Sequence, residues 1–137
     1  MTPHAVDSSV VLAAVVADVD GRTDPAAEAA LAGAALPAHA RVECYSVLTR
    51  LPQPLRVTPA DAEALLAELF DAAHTLVLPA KHQRELVADL ARVGVAGGAA
   101  YHGVIALTAL AHGLPLLTRD ARARPTYERV GVAFTTL

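Results

Sequence analysis

Apolar residues come in short runs separated by polar turns, and the runs alternate between strand-like and helix-like spacing. Ala5-Val6 ends a first strand, Asp7-Ser8-Ser9 turns the chain, and residues 10–16 follow as a strongly apolar helix closed by Asp18-Val19-Asp20-Gly21. Asp24-Pro25 reads as an N-cap with Pro at the first helical position, opening a helix over 26–31 that stops near Gly33. Residues 34–38 are apolar and bounded by Gly and Pro, which makes them a second strand. From 39 to 51 the spacing of Val42, Tyr45, Leu48 and Thr49 predicts a helix with that face inward. After a Pro-rich break, Thr58-Pro59 starts another helix, amphipathic over 62–73 with Leu65, Leu66, Leu69 and Phe70 on its buried side. Residues 75–78 read as a third strand stopped by Pro79. Residues 81–93 read as a helix with Leu86, Leu90 and Val93 inward and His82, Glu85 and Asp89 on a solvated face. A glycine pair opens and Gly113 closes a helix over 97–113, striped by Tyr101, Val104, Ile105, Thr108 and Ala111. Residues 114–120 form a buried strand with a polar end, and 130–135 supply the last strand. Such alternation predicts an α/β fold, a mostly parallel sheet covered on both faces by helices.

Composition narrows this. A length of 137 residues suits a single domain over 1–137. With 54% apolar and only 4% aromatic residues, the layers are Ala-rich helices around a small sheet. The net charge of −3 argues against indiscriminate coating of nucleic acid. The single cysteine, Cys44, excludes an internal disulfide and suits a reducing, cytoplasmic setting. No Lys or Arg precedes the apolar run at 10–17, so it is not read as a secretory signal. Asp18 and Asp20 cut off the only candidate membrane span.

The chemistry rests on where the acids fall. Asp7 puts a carboxylate inside an apolar run, where an ionised group needs a partner: a metal, a helix N-terminus, or both. A plain helix cap is the simpler reading of that residue alone. Asp120 also ends a strand, Glu43 falls in the first turn of its helix, and His102 lies near the start of another. In an α/β sandwich these four positions converge on the carboxyl rim of the sheet, where open sheets place ligands. Clustered acids repel at low dielectric unless a cation neutralises them, and hard oxygen donors suit Mg²⁺ or Mn²⁺. Such an ion can activate water and screen charge building on a phosphodiester. Arg119 and Arg122 are candidate phosphate contacts, with a solvated charged face as the alternative. His39 and Glu43 stand four apart, a metal-capable spacing, but His39 reads as a cap.

Four segments, Asp7-Ser8-Ser9-Val10-Val11-Leu12, the Glu43…Leu48-Thr49-Arg50 helix, Tyr101-His102-Gly103-Val104-Ile105-Ala106 and Leu117-Thr118-Arg119-Asp120, together resemble a PIN domain, most closely the VapC toxins of bacterial toxin–antitoxin pairs. The resemblance implies a three-layer, Rossmann-like α/β/α sandwich and a Mg²⁺- or Mn²⁺-dependent endoribonuclease acting on transfer or ribosomal RNA. It implies homodimers and a VapB-type antitoxin as partner. Asp7, Glu43 and Asp120 match the family's metal-binding acids, and Ser9, with Thr118, matches the supporting hydroxyls. His102 stands where the family usually has Asp. An imidazole can still ligate a metal, with less charge and a softer preference, so Mg²⁺ affinity should fall. The same replacement leaves open a second function class, an RNA- or antitoxin-binding module with weakened or lost cutting. A phosphoryl-accepting receiver fits less well, since no adjacent acid pair follows the first strand. A haloacid-dehalogenase-like phosphatase would want an acid where Ser9 stands.

Overall fold

In the computed structural model, which describes residues 2–137, five short strands run in parallel pairs. They are β1 (Ala5–Val6), β2 (Leu36–Pro37), β3 (Thr75–Leu76), β4 (Leu116–Thr118) and β5 (Phe134–Thr136). Ala5 lies opposite Leu116, Leu116 opposite Phe134, and Leu36 opposite Thr75. A parallel bridge from Ala5 to Ala35 joins the two sets, with Val6 N–H donating to Ala35 O at 2.9 Å. The resulting order is β3-β2-β1-β4-β5. The chain therefore builds outward from β1 in one direction and, from β4 on, in the other. That reversal opens a crevice at the carboxyl ends of β1 and β4, the place where such sheets bind ligands.

Seven helices cover the sheet: α1 (Ser8–Val19), α2 (Pro25–Leu31), α3 (Ala38–Thr49), α4 (Pro59–Leu69), α5 (Ala80–Arg92), α6 (Ala99–Ala111) and α7 (Arg124–Val130). The starts of α1, α2 and α4 follow local chemistry, each capped by a side chain. Asp24 accepts from Ala27 N at 3.2 Å, Thr58 accepts from Asp61 N at 3.2 Å, and Pro25 and Pro59 each occupy a first turn, where no N–H is needed. Gly131 ends α7 at φ +88°, a left-handed position that glycine takes without a β-carbon penalty. Among the described residues no helix is long and apolar enough to cross a membrane.

One continuous cluster of buried side chains runs from Val6, Val10 and Val11 through Leu36, Leu48 and Phe70 to Ile105, Leu116 and Tyr127. Small residues set its geometry, and here several expectations are corrected. On α3 the buried face is Ala40, Cys44 and Leu48; Val42 and Tyr45 point outward. The small side chains let α3 close on α1, with Cys44 Sγ 4.0 Å from Ser8 O. On α6 the buried set is Gly103, Ile105, Ala106, Thr108 and Ala109, and Tyr101 is largely exposed. An added β-carbon at Gly103 would lie 2.4 Å from Leu90 Cδ2, so the end of the Leu90 side chain packs directly over this glycine. α4 stops at Leu69, which is exposed, and a 3-10 turn over Ala72–His74 follows it, capped by Asp71. Val130 belongs to α7 rather than to the last strand. His39 is not a cap: Pro37 holds that position, and the imidazole stacks on Tyr101 with ring centroids 5.6 Å apart.

Candidate active site

Asp7 leaves β1 at its carboxyl end and caps α1 with its own side chain. Its carboxylate is nearly covered, at 3% exposure, yet it is fully hydrogen-bonded. Oδ1 accepts from Ser9 N at 3.0 Å and from the Ser9 hydroxyl. Oδ2 accepts from the Thr118 hydroxyl and, at 2.7 Å, from the Tyr127 hydroxyl. Four donors on one carboxylate offset the desolvation that burial imposes. The two aliphatic hydroxyls also accept. Arg119 N–H donates to Ser9 Oγ at 2.7 Å, and Asp120 N–H donates to Thr118 Oγ at 3.0 Å. Asp7 is thus wired through Ser9 and Thr118 to the backbone that carries Asp120.

Above it opens a cleft of ≈ 650 Å³ bordered by Ser8, Ser9, Glu43, His102, Asp120 and Arg122. Glu43 sits in the second turn of α3, not the first, because the helix already begins at Ala38. Its only side-chain hydrogen bond is a long one, accepted from Ser8 Oγ at 3.5 Å. Burial pushes its carboxyl above the usual range; His39 and His102 oppose that shift, and Asp7 adds to it. His102, in the first turn of α6, brings Nε2 to 4.0 Å from Asp120 Oδ2. Its ring meets Tyr127 edge-on, with centroids 6.4 Å apart. Cys44 lies buried beside Glu43, and burial pushes its thiol up to about 12, so it stays protonated and is no nucleophile at neutral pH.

The two arginines differ. Arg119 directs its guanidinium to Asp24, with bonds of 2.7 and 2.8 Å to the two carboxylate oxygens. That pair ties the site loop to the start of α2 and holds Asp24 below its ordinary carboxylate range. Arg122 N–H donates to Asp120 Oδ1 at 2.9 Å, while its side chain is 91% exposed at the cleft mouth and reaches Asp120 only at 3.4 Å. Arg122 is therefore the freer cation of the two.

Tyr127 and the pairing role of Asp24 escaped the sequence reading. Asp24 was legible only as a cap, and Tyr127 sits in a seven-residue helix whose Pro125 and Gly131 were its only local signals. Conversely, among the described residues the one set of three His, Cys, Asp or Glu with ligand atoms within 4.8 Å of one another is His82, Glu85 and Asp89 on α5. It lies along a largely exposed helix face, and Asp89 is already paired with Arg92.

The chain belongs to the PIN domain family, whose profile matches residues 5–129. Ribonuclease VapC27 of Mycobacterium tuberculosis is 45% identical over 130 residues, covering 95% of this chain and 93% of that protein. Ribonuclease VapC40 of the same species is 44% identical over 128 residues, covering 93% and 94%. Among solved structures, FitAB bound to an IR36 DNA fragment superposes with a TM-score of 0.66 at 21% identity, over 96% of this chain and 92% of that one. FitAcB from Neisseria gonorrhoeae gives 0.61 at 19% identity, over 94% of each chain. At those identities the likeness is one of fold.

PIN-domain VapC nucleases are generally dependent on a divalent metal. The donor chemistry here fits such an ion. Two carboxylates and an imidazole line one crevice with the Asp7 carboxylate buried just behind it, among the described residues no Lys or Arg pairs with Asp7 or Glu43, and the Glu43 carboxyl holds its proton more tightly than usual. The spacing is that of an open rim rather than a closed shell, since no three of these ligand atoms come within 4.8 Å of one another.

Proposed function

We propose that this chain is the toxin of a VapBC-type pair, a divalent-metal-dependent endoribonuclease that cuts structured RNA, transfer or ribosomal, and so inhibits translation. The observation that carries it is the gathering of Glu43, His102 and Asp120 around one cleft at the β1–β4 crevice, with Asp7 buried directly behind its wall and bonded to Ser9, which lines it. The names of the two mycobacterial relatives support the reaction class. Asp7, Glu43 and Asp120, with His102, would hold Mg²⁺ or Mn²⁺. When bound, the ion supplies activation of water and neutralises charge on the phosphodiester. Ser9 and Thr118 fix the Asp7 carboxylate in one orientation and hold the Asp120 loop against it. Arg122 contacts a phosphate beside the scissile bond, and Arg119 does so only by leaving Asp24. The single 1–137 domain acts in the cytoplasm as a homodimer, restrained by a cognate VapB-type antitoxin.

A second reading follows from one residue. His102 replaces an acid with a neutral donor, which lowers the negative charge that attracts Mg²⁺. The chain would then be a PIN-like module that binds RNA or antitoxin with little or no cutting. Incubating structured RNA with the purified protein and with its Asp7→Asn variant, in Mg²⁺ and in Mn²⁺, separates the two. Metal-dependent cleavage that the variant lacks supports the nuclease; binding without cleavage in either metal refutes it and leaves the module.

A further inference from the structure

We propose that Tyr127 is a positioning residue of the metal site, a buried donor that fixes Asp7 and His102 together. Its ring is wholly buried in the core, edge-on to Phe134 at 5.7 Å and edge-on to His102 at 6.4 Å. Its hydroxyl reaches Asp7 Oδ2 at 2.7 Å. An ionised carboxylate only accepts, so the phenol is the donor. The ring therefore touches two of the four site residues, one by a hydrogen bond and one by its aromatic edge. It does so from α7, an element that carries none of the four.

The arrangement gives the two Asp7 oxygens different duties. Oδ2 is clamped by Thr118 and Tyr127, both fully buried, and neither can move without repacking the core. Oδ1 is bonded only from Ser9, which borders the cleft and whose hydroxyl has an alternative partner in Thr118 Oγ at 3.3 Å. Tyr127 thus reserves Oδ2; Oδ1 also carries two donors, but one of them, the Ser9 hydroxyl, can turn to Thr118 and leave that oxygen for a cation. Outer partners that orient a ligating carboxylate commonly govern metal affinity by about 10–100-fold. A tyrosine serving only the core would affect stability and leave that affinity alone.

The inference rests on the reading of Asp7 as a metal ligand, and the test separates the two. Mn²⁺ binding to the metal-free protein is measured by calorimetry and by the loss of the free-ion paramagnetic resonance signal, for parent, Tyr127→Phe and Tyr127→Leu. Tyr127→Phe keeps the ring beside His102 and removes only the donor. The expected result is a folded Tyr127→Phe protein with Mn²⁺ affinity lowered roughly tenfold, and a larger loss in Tyr127→Leu. Equal affinities in parent and Tyr127→Phe would overturn the inference and spare the metal site. A parent that binds no Mn²⁺ would overturn both. Should Tyr127→Phe fail to fold, fluorotyrosine-labelled parent decides the matter. The chain holds three tyrosines, and Mg²⁺ should move the Tyr127 fluorine resonance while leaving Tyr45 in place. Saturation with Mg²⁺ without movement at Tyr127 refutes the proposal.

Discussion

Replacing Thr118 by Val tests whether the Asp7 network holds the site together. The side chains have the same shape, and Thr118 is fully buried, so packing is conserved while the hydroxyl is lost. Besides a long contact with Ser9 Oγ at 3.3 Å, two hydrogen bonds disappear. One is the donation to Asp7 Oδ2, a bond to a buried charge worth about 1.5–3 kcal/mol. The other is the acceptance from Asp120 N–H at 3.0 Å; that amide lies at the cleft, where water replaces part of the loss, so about 0.5–1.5 kcal/mol is at stake. Tyr127 remains on Oδ2 and limits the damage. The expected net destabilisation is about 2–4 kcal/mol, which for a chain of this size lowers the melting temperature by roughly 6–12 °C. Urea unfolding followed by circular dichroism, in chelator so that no ion contributes, should show a lower midpoint at unchanged slope. Thr118→Ser, which keeps the hydroxyl, should retain most of the lost stability. If Thr118→Val unfolds within about 0.5 kcal/mol of the parent, the network is not a stabilising element and the argument fails.

Glu43→Gln should stabilise the metal-free protein at neutral pH. The folded carboxyl is pushed above its ordinary 4.5, so ionising it works against the fold as pH rises from that value through the raised one. The parent should lose stability across that window and the variant should not, as pH-stepped denaturation will show. The same variant should also forfeit the rise in melting temperature that Mn²⁺ gives the parent. Asp24→Asn keeps a capping side chain and removes the charge facing Arg119. Folded Asp24 titrates below 3.8, so its contribution is present above that pH and lost as the pH falls through the depressed value. The variant should therefore unfold more easily than the parent at pH 7, with the difference closing as denaturation is repeated below 3.8. Gly103→Ala adds a methyl 2.4 Å from Leu90 Cδ2. The methyl meets only the end of the Leu90 side chain, which can swing aside, so overpacking of about 1 kcal/mol should roughly cancel the helix-propensity gain of about 0.5–1 kcal/mol. Combining it with Leu90→Ala should cost less than the sum of the two single changes in urea unfolding.

The chain's local chemistry was enough to mark where α2 and α4 begin. Asp24-Pro25 and Thr58-Pro59 act within one turn of themselves, so their caps are written in four consecutive residues. The alternation of short apolar runs likewise announced a parallel sheet, and Asp7 at the end of β1 could be singled out because a carboxylate in an apolar run needs a partner wherever it lies. Other features belong to surfaces that meet only after folding. Val42 and Tyr45 had the helical spacing of a core stripe, yet Ala40 and Cys44 are what α3 buries, because its approach to α1 selects small side chains over large ones. Tyr127 carries no mark of its bond to a carboxylate 120 positions away, and Arg119 carries none of its pairing with Asp24. Caps and turns are short-range, and one stretch of chain specifies them. Strand order, the buried side of a helix and the partner of a polar group depend on residues far apart in the chain, and packing density chooses among arrangements that local propensity leaves equal.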